Sequence, residues 1–436
     1  MQVTLLHTND IHGRVEGLAR VATLVGRIRA ETPHRVIYAD AGDVEETTSR
    51  LSNLTKGVAM HRLLSAAGCE VAVVGNAAWL RYGPQVIPDH ARAASYPLLL
   101  ANLAPVEGVQ STALVDGVGF VGVTDPFRRF LDTEIDYGIR PTDEVEEVLR
   151  GAQELRARGA ELVVCLSHLG YQRFAGDVET GTVDPELAER VQGAVDVIVG
   201  AHSHDLLPTG ERIGSVTVAQ AGSFAEHLGR IDVVDGAIRA SVIPVGDDVP
   251  PHPRVLEAVA EAERSLDASL AELIAELDAP LDAQWIAEML RQRMGAEVGL
   301  ATSGAVLDRP LPPGPLRRGD LWEVCHSTAN PAVTKLRGAQ LLQMLERGND
   351  PDFVRTTSRP LRGRPRGPLH VAGATDVDPT RTYVVAATDY ELGSYGGLVE
   401  PDWNLGVRYD FPTIVREAVE ERLAAADGGF GHRPGV

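Results

Sequence analysis

The sequence predicts an α/β protein: a layered first domain with a site along one sheet edge, joined by a linker helix to a smaller α+β second domain. Three observations predict this. Over residues 1–245, short and almost continuously apolar β-forming runs alternate with amphipathic helical segments. A proline-rich break, DDVPPHPR, then opens a leucine-periodic stretch, and beyond about residue 280 helix and strand signals mix at shorter intervals. Strands that are apolar on both faces are those covered on both sides. Alternation of β and α segments, with polar residues gathered at strand C-terminal ends, is the signature of a layered sheet that binds its ligand along that edge.

The strands of the first domain are read at VTLLHT, RVIYAD, VAVVGN, PLLLAN, GFVGVT, LVVCLSH, VDVIVGAH and VTVAQAG, with helical patterns such as LARVATLVGRIRAE and TDEVEEVLRGAQELRARG between them. From Val255 to Leu277, leucines and valines recur mainly at three- and four-residue steps among many acidic residues, which predicts a long amphipathic helix within a linker of 246–279. The second domain, 280–436, is expected to hold a helix near AQWIAEMLRQRMG, a Pro/Arg/Gly-rich insert SRPLRGRPRGPL, a strand at RTYVVAATD, a closing helix near TIVREAVEERLAAA and a disordered tail GGFGHRPGV.

Length and composition restrict the function. A chain of 436 residues exceeds the size of a single core, about 250–300 residues, so two or three domains are required. The formal charge of -20 argues against a surface built to coat nucleic acid, which needs clustered cations. No apolar run reaches the ~18 residues of a membrane helix. The N-terminus MQVTLLHTND has no leader pattern, so the chain as given reads as cytoplasmic, or as secreted or periplasmic if a leader was removed. Cys69, Cys165 and Cys325 are few, scattered and set among apolar residues, which predicts buried free thiols.

The chemistry lies at the ends of the predicted strands. Asp10 and His12 form a D-x-H pair directly after the first strand, and residues two apart in an extended segment project to the same side. Asp43 follows RVIYADAG, Asn76 ends VAVVGN, His168 ends VVCLSH, and His202 and His204 form H-x-H after VDVIVGA. These seven groups would arrive at one sheet edge. They can build two adjacent cation sites that share a carboxylate, and mixed imidazole and carboxylate ligation favours Mn, Fe, Zn or Co over Ca.

At these residues the sequence resembles the two-domain 5′-nucleotidase branch of the calcineurin-like metallophosphoesterases. LLHTNDIHGR, ADAGD, KGVAMHRLLSAAGCEVAVVGN, LSHLG and VDVIVGAHSH match that family's N-terminal signatures in order and type. The stretch from MGAEVGLATSGAVL to NPAVTKLRGAQLLQMLE is similar to its C-terminal domain. The resemblance implies a layered αββα metallophosphoesterase domain and two divalent metal ions. Asp10, His12, Asp43 and His204 would hold one ion, and Asp43, Asn76, His168 and His202 the other. The implied activity is hydrolysis of a small-molecule phosphate ester, with nucleotides among the candidates and no nucleic-acid or membrane partner.

The pattern breaks where the resemblance expects a His/Asp dyad facing the transferring phosphate. The segment reads GNAAWL, so those positions are Ala77 and Leu80. Arg81 and His90 are the neighbouring groups able to supply charge. In the second domain, where the resemblance implies two rings clamping a nucleoside, one position is Thr328, with Asn330 after it, and the other matches Tyr390. An expected arginine is Leu307, and the family's GGDG appears as YGGL. A phosphoesterase with altered turnover or substrate is the expectation; a catalytically silent metal- and ligand-binding homologue is the rival, and an esterase acting on a sulfur ester is a third.

Overall fold

The computed structural model describes residues 1–126, 137–173, 181–350, 367–374, 376–393, 397–403 and 405–428. The chain divides into two units, Met1–Arg264 and Ser265–Val436.

In the first unit two six-stranded sheets carry the site. One runs Ala237–Pro244, His227–Val234, Gln2–Thr8, Arg35–Asp40, Val71–Val73, Leu98–Leu99; the other runs Glu211–Ile213, Val216–Ala219, Val197–Gly200, Leu162–His168, Val118–Thr124, Thr112–Val115. Alternate side chains of the central strands enter different cores. Val164 and Leu166 join Val3, Leu5, Ile37 and Val199 between the sheets, whereas Val163 and Cys165 meet Val145, Val148 and Leu187 under the helices Glu144–Ala157 and Asp184–Arg190. A period of two with both faces covered is why these strands read as unbroken apolar runs. Helix Val15–Glu31 buries Leu18, Val21, Val25 and Ile28 and packs on strands Arg35–Asp40 and His227–Val234, completing an αββα arrangement. Cys69, Cys165 and Cys325 are buried free thiols.

One buried carboxyl lies just below the strand ends. Asp184 is fully buried and takes the Ser167 hydroxyl on Oδ1, while its Oδ2 has no hydrogen-bond partner. Burial pushes its pKa up to about 8, against the Ser167 bond, which lowers it. The folded state therefore holds a proton that the unfolded chain releases near 3.8, so stability declines as pH rises from 3.8 to about 8. Asp184→Asn should match the native protein near the low end of that window and be the more stable at the high end. Thermal melts of both metal-free proteins across the range check this; parallel curves would contradict it.

The second unit has its own sheet, in the order Leu369–Gly373, Val298–Thr302, Thr382–Thr388, Pro331–Arg337, Arg408–Tyr409, with separate apolar clusters around Leu290 and Leu300. Helices Ala283–Arg293 and Val415–Gly428 occupy the expected positions. The linker helix is shorter than its periodicity predicts: it spans Pro253–Ala271, and Leu273–Leu277 is a strand paired antiparallel with Gly314–Arg317. Ala275 and Leu277 are buried in the second unit's core while Leu273 and Glu276 are exposed. The segment LAELIAEL suits either period, and the pairing partner decides in favour of the strand. The Pro/Arg/Gly-rich insert through residue 366 and the tail from 429 lie outside the described residues. Among the described residues no helix is long and apolar enough to cross a membrane.

Candidate metal centre

Each expected ligand stands at or just past a strand's C-terminal end, four from the first sheet (Asp10, His12, Asp43 and Asn76) and three from the second (His168, His202 and His204). The loop after Gln2–Thr8 is tied to the loop after Arg35–Asp40 by main-chain bonds from Asp10 N to Gly42 O (2.9 Å), His12 N to Asp43 O (3.0 Å) and Gly13 N to Val44 O (2.9 Å). Asp10, His12, Asp43, His202 and His204 all have φ between 46° and 70°. Left-handed backbone at non-glycine residues costs free energy and concentrates where surrounding structure holds a functional side chain in place.

Asp10 is fully buried. Its Oδ2 accepts from Asn9 Nδ2 (2.8 Å) and from the His202 main-chain N–H (2.9 Å). Its Oδ1 has no hydrogen-bond partner, yet faces three imidazole Nε2 atoms: His204 at 3.5 Å, His12 at 3.7 Å and His168 at 4.0 Å. Two ligands at about 2.0–2.2 Å from a shared ion stand about 3–4 Å from each other, so these separations suit an ion better than direct hydrogen bonds. Asp43 is held similarly. Oδ1 accepts from the Ala77 N–H (2.7 Å), and Oδ2 lies 3.3 Å from His168 Nε2 and 3.9 Å from His12 Nε2. Gly75 makes this approach possible, since a Cβ there would fall 2.1 Å from Asp43 Oδ1.

Carbonyls orient the histidines. His168 Nδ1–H donates to Ala41 O (2.7 Å) and His12 Nδ1–H to Glu45 O (3.3 Å). A carbonyl only accepts, so in the neutral rings both Nε2 lone pairs point into the crevice, the arrangement found behind metal-binding imidazoles. His168 Nε2 then faces Asn76 Oδ1 at 3.1 Å as well as Asp43, and His12 Nε2 faces His204 Nε2 at 3.1 Å. Lone pairs so opposed require a proton or a cation between them. Although burial opposes it, Asp10 and Asp43 hold the His12 pKa up at about 9, and chiefly Asp43 holds that of His168 at about 10. Burial likewise pushes the Asp10 carboxyl up, but His12 and His204 bring it well below the usual carboxylate range. A divalent cation would meet the same demand for positive charge.

Two compact donor groups result: Asp10, His12 and His204, and Asp10, Asp43 and His168. Asn76 adds its carbonyl oxygen beside His168. His202 lies outside both groups; its ring meets His168 edge-on at 5.3 Å, and its Nε2 is 3.5 Å from Asp125 Oδ2. Burial, then His168, lowers the His202 pKa to about 4, leaving a neutral imidazole, the form that binds metal. Asp125 is not singled out by sequence reasoning, although it follows GFVGVT just as the candidate ligands follow their strands. Phe224, whose ring is 5.3 Å from that of His204, carries no sequence signal.

Ala77 and Leu80 lie on helix Asn76–Tyr82 and are buried. Arg81 is half-buried in that helix's last turn. His90 is fully buried and its Nε2–H donates to Lys56 O (2.6 Å), so it presents no charge to solvent. In the second unit, Asn330 is buried and braces Thr413 O through its Nδ2 (2.7 Å); Tyr390 is half-buried on helix Asp389–Leu392; Thr328 is half-buried and Leu307 buried. Residues 394–396, which include part of the YGGL motif, lie outside the described residues.

Residues 278–400 match the family model of the 5′-nucleotidase C-terminal domain. An uncharacterized metallophosphoesterase, YunD of Bacillus subtilis, is 24% identical over 97% of this chain and 99% of its own. Residues 278–400 therefore carry a 5′-nucleotidase C-terminal domain, and the chain as a whole is similar to a metallophosphoesterase. A snake venom 5′-nucleotidase from Gloydius brevicauda is 27% identical over 53% of this chain, and the match spans 45% of that relative's length. The 5′-nucleotidase precursor from Thermus thermophilus superposes with a TM-score of 0.61 at 21% identity, over 98% of this chain and 97% of that one, which establishes the common 5′-nucleotidase fold. Similarity to metallophosphoesterases implies divalent metals, and the donor groups at the sheet edge have the chemistry to bind them.

Proposed function

We propose that the protein is a dinuclear-metal phosphoesterase that hydrolyses a nucleotide-like phosphomonoester or a cyclic phosphodiester. The observation that carries this reading is Asp10 Oδ1, a buried carboxylate oxygen without a hydrogen-bond partner at the focus of three imidazoles. Asp10, His12, Asp43 and His204 would hold one ion and Asp43, Asn76, His168 and His202 the second. Such ions lower the pKa of bound water and neutralise charge on a transferring phosphoryl group. The chain's own residues orient this apparatus: Ala41 and Glu45 carbonyls set the imidazole tautomers, and the Ala77 N–H holds Asp43. Tyr390 would be the ring that stacks on a base, and one ring instead of two would weaken nucleoside selectivity.

Ala77 and Leu80 offer no proton donor, so turnover should be slow or restricted to esters whose leaving group needs none. The Mn- or Zn-loaded protein should release phosphate from at least one member of a panel of phosphomonoesters and cyclic phosphodiesters, above a free-metal control and suppressed by chelator. Ion chromatography of the products separates phosphate from sulfur-ester chemistry. Absence of turnover across the panel overturns the reading. The apolar pair at 77 and 80 also supports a second reading, a silent homologue that binds metal and ligand; it predicts ligand-dependent thermal stabilisation without product.

A further inference from the structure

A further group of metal-ligand type side chains lies beside the sheet-edge crevice and shares no side chain with it. Glu45, His61 and His90 are 2%, 3% and 0% exposed, and one donor atom from each lies within 4.8 Å of the others. His61 Nε2 is 2.7 Å and His90 Nδ1 is 3.2 Å from the same oxygen, Glu45 Oε1. The other carboxylate oxygen, Oε2, is buried and has no hydrogen-bond partner. Each ring is oriented from behind: His61 Nδ1 is 2.9 Å from the Tyr96 hydroxyl, and His90 Nε2–H donates to Lys56 O at 2.6 Å. That last bond places the proton on Nε2, so the Nδ1 of a neutral His90 carries a lone pair and lies 3.2 Å from a carboxylate oxygen.

Such an arrangement is repulsive unless positive charge lies between the atoms. Three converging donors, an unused carboxylate oxygen and outer hydrogen bonds that fix the rings are the requirements of a closed cation site. Gly57 makes room for it. Its φ is +85°, and a Cβ there would fall 2.6 Å from His90 Nε2 and 2.7 Å from Glu45 Cγ.

We propose that Glu45, His61 and His90 form a separate, buried divalent-cation site, of zinc type, that has a structural role. Its ion ties the loop after strand Arg35–Asp40 to helices Val58–Ala66 and Ile87–Ala93. Because the Glu45 carbonyl takes the His12 Nδ1–H, it also steadies a residue of the crevice.

The test is metal content after saturation with zinc and removal of free ion. His90→Ala should hold one ion fewer per chain than the native protein, and His61→Ala with His90→Ala no fewer than that. Asp43→Asn should lose crevice ions and keep this one. Equal metal content in the native and His90→Ala proteins overturns the proposal. If His90→Ala does not fold, anomalous diffraction from zinc-loaded native crystals decides: a peak among Glu45, His61 and His90 supports the site, and density explained by hydrogen bonds alone overturns it. Failure at the crevice with success here would reject only the phosphoesterase reading.

Discussion

Ala77→His combined with Leu80→Asp should raise metal-dependent phosphate release by about 10²–10⁴-fold, the usual contribution of a positioned acid or charge-stabilising donor. The two positions are three apart on helix Asn76–Tyr82 and so share a face. The helix is already anchored at the crevice, since Ala77 N–H donates to Asp43 Oδ1 at 2.7 Å. Leu80 is only 4% exposed, so Leu80→Asp alone would bury an unpaired carboxylate and should lower the melting temperature with no gain in rate. Ala77→His alone should give a partial gain, because its ring would lack an orienting partner. Steady-state kinetics on the four proteins of the cycle check this. A folded, metal-loaded double variant no faster than the native protein would show that the dyad positions do not limit turnover.

Asp43→Asn should empty the crevice and bring any turnover down to the free-metal control. The substitution is selective. An Asn Oδ1 can still accept from Ala77 N–H, but the charge that faces His168 at 3.3 Å and His12 at 3.9 Å is gone. Bound metal at 100 times its dissociation constant stabilises a fold by about 2.7 kcal/mol, so chelator should lower the native melting temperature by several degrees. In Asp43→Asn that shift should shrink to the part contributed by the Glu45, His61 and His90 site. Elemental analysis and paired melts with and without chelator measure both effects. Undiminished metal content in Asp43→Asn would remove Asp43 from the ligand set.

The candidate ligands are legible because each is a polar residue ending an apolar β-forming run, and the layered sheets bring such ends to one edge. Asp125 has the same signal, but a single Asp with no second ligand-type residue nearby does not stand out. The hairpin His227–Val234 and Ala237–Pro244 is hidden for a different reason. Its outer strand is exposed along much of its length and reads as mixed polarity, although Asp235-Gly236, with φ of 49° and 83°, is the turn such hairpins favour. The strand Leu273–Leu277 reads as helix because its leucines satisfy both periods until a partner strand is present.

By itself the sequence determined the alternation of strands and helices, the residue types at the strand ends and the apolar residues Ala77 and Leu80 after Asn76. These follow from short-range periodicity, which depends only on which side of an element is buried. The tertiary structure decided which atoms face one another: Asp10 Oδ1 toward three rings, the tautomers imposed by Ala41 and Glu45, and the meeting of Glu45 with His61 and His90. Those relations depend on register across two sheets and on left-handed backbone at five candidate ligand positions. They are long-range consequences of packing, and a local residue pattern does not encode them.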